Sequence, residues 1–337
     1  VTRETIEDLN RNTLIGYTDK RGMAWHYREG GSNHFPGAVP ADRVLQLFNW
    51  TAEESDITYD VVLDNGQRGT VVDRERKLYY RSDNGAALGV HGKGHQRHQY
   101  IEWLMNNVQI LLGGELHIGQ AGLLKGGAVA WVSIEMADTL TFSGVDIRPQ
   151  LLAATSFDAS LKSTNKLVST IAVCDNTMAM ALGEHSPTYA VAHTSKSKFD
   201  EEKARDALGL VEAYGEAFGR KLDELVGSKV TDEQFDRFLQ IWIPMPEDKG
   251  AARTNATAKQ NRYTELWNSD PRVSPWHGTQ FGVLQAANTY HHHDTRVLGS
   301  VADRGERNML RAVTANKSDS IETFDANVLQ ALGLVLS

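Results

Sequence analysis

The sequence predicts an α+β protein, sheet-rich in its N-terminal half and helical in its C-terminal half. Three observations carry this. Between residues 57 and 136 short Val-, Tyr- and Thr-rich runs alternate with turn signals. From residue 199 onward the apolar positions fall at helical spacing. And 337 residues with 41% hydrophobic and 23% charged content lie within the globular range, long enough to bury a sizeable core.

Taken in order, Ile57 to Leu63, Gly69 to Asp73, Leu78 to Arg81 and Ala87 to His91 read as strands. Asp64-Asn65-Gly66 and Asp83-Asn84-Gly85 supply the positive φ that tight hairpin turns need. A meander of three or four antiparallel strands follows. From Gln96 the pattern becomes helical, with Tyr100, Trp103, Leu104, Val108, Leu111 and Leu112 on one face and Gly113-Gly114 as the stop. Leu116 to Leu124 and Ala128 to Met136 flank Lys125-Gly126-Gly127 as a second hairpin, whose Ser133 and Glu135 form the polar side of the alternation. Phe142 to Ser169 reads as a polar stretch, followed by short strands at Ile171 to Val173 and Tyr189 to Ala192 around a small helix at Asn176 to Leu182.

A long helix spans Phe199 to Val226 and stops at Gly227. Thr231 and Gln234 have capping-box spacing and open a helix to about Trp242, which Pro244 and Pro246 close. Helices at Asn255 to Trp267, Gly278 to His293 and Ser320 to Leu332 complete the chain, the last stopped by Gly333. The expected organisation is a sheet-rich unit over 1–195, with a core at about 57–136, and a helical unit or extension over 196–337.

The charge balance, 35 Lys and Arg against 43 Asp and Glu, gives −8 and argues against a surface that attracts nucleic acid everywhere. One cysteine leaves no internal disulfide, so a reducing cytoplasmic home is expected. No apolar run approaches membrane-spanning length, and the charged first twelve residues do not read as a signal peptide.

Signatures of phosphate-cradling loops, zinc proteases and serine hydrolases are missing from the sequence. The run His291-His292-His293-Asp294 suggests a metal, but consecutive residues on a helix point about 100° apart, so the three imidazoles cannot converge. The plainer reading is a polar C-terminal turn whose imidazoles favour the negative end of the helix dipole. Cys174 and His193 form a minimal thiol–imidazole pair, set against the ordinary role of a cysteine in an apolar run as a small buried side chain. Neither metal nor cofactor is expected.

Electrostatics gives a more informative signal. From Gly66 to Gln99 the cations Arg68, Arg74, Arg76, Lys77, Arg81, Lys93 and Arg97 face only Asp73, Glu75 and Asp83, a local +4. Tyr79 and Tyr80 are adjacent in one strand, so one of them faces the polar side where a base could stack. Lys162, Lys166, Lys196 and Lys198 form a second basic group in Ser- and Thr-rich loops. Cations with an aromatic platform are the ingredients of single-stranded DNA binding, and also of an ordinary solvated hairpin.

Several stretches form an ordered set: Asn10 to Gly16, Met23-Ala24-Trp25-His26, Val173-Cys174-Asp175-Asn176-Thr177, Ala192-His193-Thr194, and Gly278-Thr279 through Ala287-Asn288-Thr289-Tyr290 with His292. Together they resemble the phage/plasmid-like domain-of-unknown-function family of actinobacteriophages over nearly the whole chain. More remotely, the order of meander, helix and hairpin is similar to phage single-strand annealing proteins related to the eukaryotic Rad recombination mediator, which assemble into rings with DNA in a basic outer groove. That resemblance implies a non-enzymatic, homo-oligomeric protein that binds and anneals single-stranded DNA, with Arg68, Arg74, Arg76, Lys77, Lys93 and Arg97 holding phosphates and Tyr79 or Tyr80 stacking. The alternatives are a metal- or Cys/His-dependent enzyme built on Cys174, His193 and the histidine run, and a protein-interaction module using Trp242, Trp267 and Trp276.

Overall fold

A computed structural model describes residues 12–19, 33–105, 108, 116–136, 138–171, 176–178, 188–191, 201–295, 301–314, 318 and 320–336. The architecture is α+β, as the sequence predicts. The large sheet is antiparallel, in the order β1 (Thr13–Ile15), β5 (Leu116–Leu124), β6 (Val129–Met136), β8 (Val145–Ser156), β9 (Ser163–Ile171), β10 (Asn176–Met178). Strand β7 (Leu140–Phe142) pairs with the start of β8, and β11 (Thr188–Val191) pairs with the start of β9. A second sheet is the expected meander of β2 (Ala52–Val62), β3 (Arg68–Arg81) and β4 (Ala87–Gly92), turned at Gly66 and Gly85, both at positive φ.

Seven α-helices accompany the sheets among the described residues: α1 (Ala41–Leu47), α2 (Glu201–Gly227), α3 (Asp232–Trp242), α4 (Ala251–Ser269), α5 (Gln280–Thr289), α6 (Val301–Val313) and α7 (Ile321–Leu336). The Thr231/Gln234 box forms as the spacing predicts: the Gln234 amide donates to Thr231 Oγ1 at 3.2 Å, and the Thr231 amide donates to Gln234 Oε1 at 2.8 Å.

Both faces of the large sheet are covered. On one, Val132, Ile134, Leu151, Ala153 and Leu167 join Val211, Phe218 and Leu222 of α2 in the main core. On the other, Trp131, Leu152, Ala154 and Val168 meet Ala312 and Val313 of α6. Full burial of an aliphatic or aromatic side chain such as Phe218 or Leu222 stabilises by about 1.5–3 kcal/mol. Helix α2 reaches the sheet because Gly215 and Gly219 leave room for Pro149, Leu140 and Phe142.

Four expectations need correcting. The polar stretch from Phe142 to Ser169 holds β8 and β9, two strands at the heart of the sheet; burial on both faces removes the polar/apolar alternation that marks a half-exposed strand. Asn176 to Met178 is a strand, not the start of a helix. The helix expected from Gln96 is a π-helix over Tyr100–Met105, with Tyr100, Trp103, Leu104 and Val108 buried as the spacing requires. And α7 runs through Gly333 to Leu336, while α6 joins the helices read from the sequence.

Candidate functional site

The meander carries most of the predicted site residues, and its register decides their fate. Asp56 pairs with Lys77 but Ile57 pairs with Asp73, so Arg74, Glu75 and Arg76 have no partner in β2 and form a wide bulge. The Asp73 carboxylate caps that bulge, accepting from the Glu75 and Arg76 amides at 2.9 and 3.0 Å and from Arg76 Nε at 2.8 Å. These bonds, the Glu75 amide foremost, hold Asp73 below the usual carboxylate range. Because β4 begins pairing only at Arg76, residues 57–62 and 68–73 continue past the bulge as a two-stranded arm.

The basic stripe does not survive this pairing. Lys77 pairs with Asp56 of β2, Arg76 with Asp73 at 2.8 Å, and Lys93 approaches Glu75 at 3.4 Å. Arg97 donates to the Ala52 carbonyl at 2.9 Å and faces Glu53 and Glu54 at 3.9 and 3.8 Å. Counted along the chain from Gly66 the segment is cationic; with β2 alongside, residues 52–97 hold eight acids against seven Lys and Arg. Arg68 and Arg74 remain exposed on the arm and the bulge.

Tyr79 is 3% exposed and donates to the His95 carbonyl at 3.0 Å, with the His91 ring 4.6 Å away and the Arg97 guanidinium 5.7 Å from its centroid. It is a core residue and cannot offer a base its face. Tyr80 is half-buried, and alternation along β3 turns it to the opposite side. Lys162 is exposed just before β9.

Lys166 is not a loop cation. It lies on β9, fully buried, with Nζ donating to the Ala312 and Thr314 carbonyls at 2.8 Å each and pairing with Glu322 at 2.7 Å. All three ammonium protons are used. Lys196 and Lys198 lie outside the described residues, as do Trp25, His26, Cys174, His193 and Thr194; Asn176 and Thr177 lie on β10.

The remaining motif residues serve folding. Gly278 has φ +78°, and Thr279 caps α5, accepting from the Gly282 amide at 3.0 Å while donating to the Trp276 carbonyl at 2.7 Å. Buried Asn288 donates to Asp325 Oδ1 at 2.8 Å and so ties α5 to α7. Trp267 and Trp276 are buried, and Trp242 is half-buried with Nε1 on the Tyr263 hydroxyl at 3.1 Å. Trp267 and Trp276 belong to the main core, and Trp242 packs against it.

His291, His292 and His293 sit on a π-helix over Tyr290–Asp294. Neighbouring rings are 6.1 and 6.3 Å apart and turned by 80° and 66°, the divergence expected of consecutive residues. The reading of this run as a polar turn whose imidazoles favour the helix dipole does not hold for His292, which is buried, while His291 is half-buried. Burial first, then the positive charges of Arg311 and its neighbours, lower both, His291 to about 3, so these imidazoles are neutral. Among the described residues no group of three or more His, Cys, Asp or Glu is placed to hold a metal ion.

Sequence reasoning missed a buried polar row on the large sheet. Ser133 and Glu135, expected to face solvent, are buried, as are Arg148, Gln150 and Thr170 on the adjoining strands. Ser133 donates to Gln150, whose amide donates to Thr170, linking β6, β8 and β9. The signal for it was the i, i+2 spacing of Arg148 and Gln150.

Among the described residues no helix is long and apolar enough to cross a membrane. No curated protein and no solved structure matches the chain. Residues 87–322, from β4 into the first turn of α7, match the family model described as Domain of unknown function (DUF932). Covering more than two thirds of the sequence, that match includes the capped α5 with Asn288, and the chain belongs to the DUF932 family.

Proposed function

We propose that the protein acts by binding and self-assembly, with the β2–β3 arm as the contact between copies. The observation that carries this reading is the arm's exposure on both sides. Tyr59, Val62, Leu63, Val71 and Val72 are 48%, 68%, 51%, 39% and 46% exposed on a two-stranded ribbon about 20 Å long. Such a ribbon is marginal alone, and exposed edges and apolar side chains favour strand pairing with another chain. The arm carries Asp60, Asp64 and Asp73 against Arg68, which disfavours a nucleic-acid groove as its partner. A second copy suits it better. Antiparallel pairing of the open edge of β3 about a two-fold axis sets Thr70 opposite Thr70 of the partner copy, with Gly69 opposite Val71 and Arg68 opposite Val72. Light scattering after size exclusion should show dimers or larger species, with Val72→Lys shifting them to monomer while circular dichroism is unchanged. A monomer at all concentrations refutes the reading.

A second reading, single-stranded DNA binding and annealing in phage recombination or replication within the bacterial cytoplasm, is favoured by the exposure of Arg74, Arg76 and Lys93 around the bulge. Fluorescence anisotropy with a labelled strand of about thirty to forty nucleotides at two salt concentrations tests it. Micromolar binding with a steep salt slope that flattens in Arg74→Ala/Arg76→Ala supports it, and no binding at low salt refutes it.

A further inference from the structure

A cavity of about 490 Å³ opens between the Tyr290–Asp294 π-helix, α6 and α7, a volume in the range of small-molecule sites. Two arginines from successive turns of α6 line it. Arg307 is oriented by Nη2 bonds to the His291 carbonyl at 2.6 Å and to Asn308 Oδ1 at 2.9 Å. Arg311 is buried, with its guanidinium 5.2 Å from the Phe324 centroid. Glu306 is the one acid among the described lining residues, and its Oε1 already accepts the Lys125 amide at 3.0 Å. The third basic side chain, His291, packs its ring 4.5 Å from Phe324 and has a buried Nε2 with no hydrogen-bond partner. Leu310 and Phe324 give the cavity apolar surface beside the guanidinium pair. A π-helical turn, rare in proteins and frequent at functional sites, forms one wall.

We propose that this cavity binds a small organic phosphate, its phosphate group on Arg307 and Arg311 and its organic part against Leu310 and Phe324. Paired guanidinium forks match phosphate oxygens, and the cavity is several times larger than a bare phosphate ion. The site is independent of the arm and of any contact between copies.

Isothermal titration of the full chain with inorganic phosphate and, separately, with adenosine monophosphate tests this, at constant ionic strength. The expected result is saturable one-to-one binding, with the nucleotide at least tenfold tighter than phosphate. Asn327→Asp places a negative charge on an exposed rim residue without touching the arginines, and should weaken nucleotide binding at least tenfold with unchanged thermal unfolding. Arg307→Gln should do the same. Absence of binding up to about 1 mM, the upper end of ordinary substrate affinities, overturns the proposal. So does a nucleotide bound no tighter than phosphate, or wild-type affinity in Asn327→Asp.

Discussion

Replacing Lys166 by methionine tests how the last two helices are fastened to the sheet. The ammonium lies where α6 ends, so it satisfies the Ala312 and Thr314 carbonyls that the helix leaves without partners, and it faces Glu322 in the first turn of α7. Methionine keeps the bulk of the stem and removes all three bonds. Each orphaned carbonyl costs about 1–3 kcal/mol, and breaking a buried ion pair from one side costs about 3–5 kcal/mol. Glu322 keeps 17% side-chain exposure and can recover some hydration, so the terms do not add in full. A total of about 4 kcal/mol is expected, a large share of the roughly 5–15 kcal/mol that holds a folded domain. In a chain of this length that is a fall in Tm of about 6 °C. Urea denaturation followed by circular dichroism measures it, with exposed Lys162→Met as the control at under about 0.5 kcal/mol. The double variant Lys166→Met/Glu322→Gln should be less destabilised than the two single losses summed, because it leaves no uncompensated charge. A Lys166→Met variant as stable as Lys162→Met refutes the account.

Further predictions follow from other contacts. His98 is lowered to about 4 and His291 to about 3, against 6.5 in the unfolded chain. The unfolded state therefore binds more protons as pH falls below about 6.5, and stability drops toward pH 4 by up to about 1.4 kcal/mol per pH unit for each histidine; denaturation midpoints at pH 7 and pH 5 should converge in His98→Gln/His291→Gln, and an unchanged gap contradicts this. Thr231→Ala removes the capping box and should cost about 1 kcal/mol by chemical denaturation, with Thr254→Ala, an exposed helix threonine, much milder. Gly282→Ala drives a Cβ onto the Trp276 carbonyl and should cost about 3 kcal/mol, measured as a loss of Tm; a neutral result would mean that α5 can shift away from the Ser274–Trp276 turn.

What could be read from the sequence was local chemistry. The Asn-Gly turns at Gly66 and Gly85, the Lys125-Gly126-Gly127 hairpin, the Thr231 box and the buried stripe of Tyr100, Trp103 and Leu104 are dictated by neighbours within a few residues, and the structure bears them out. What could not be read depends on partners far along the chain. Strands β8 and β9 look polar because Gln150 and Thr170 are satisfied by residues on adjacent strands and Lys166 by residues about 150 positions away. The +4 stripe is a property of the one-dimensional count, and the five acids from Glu53 to Asp64 cancel it through strand register. Gly333 fails as a stop because α7 presents it to solvent, where glycine costs only about 1 kcal/mol against a helix anchored by Val328 and Leu332. The cavity on α6 draws Arg307, His291 and Phe324 from separate elements, so no run of sequence displays it.

The double covering of the large sheet also sets an order of events during synthesis. Strands β8 and β9 leave the ribosome complete at Ile171, but the apolar side chains on one face wait for α2, and Leu152, Ala154 and Val168 on the other wait for Ala312 and Val313. At about 5–20 residues per second, the roughly 140 residues between Ile171 and α6 take on the order of 7–30 s to appear. For that interval a two-sided apolar sheet carries a buried-type lysine with nothing to bond. Slowing translation downstream of Ile171 should therefore lower the soluble yield more than slowing it upstream of Leu116.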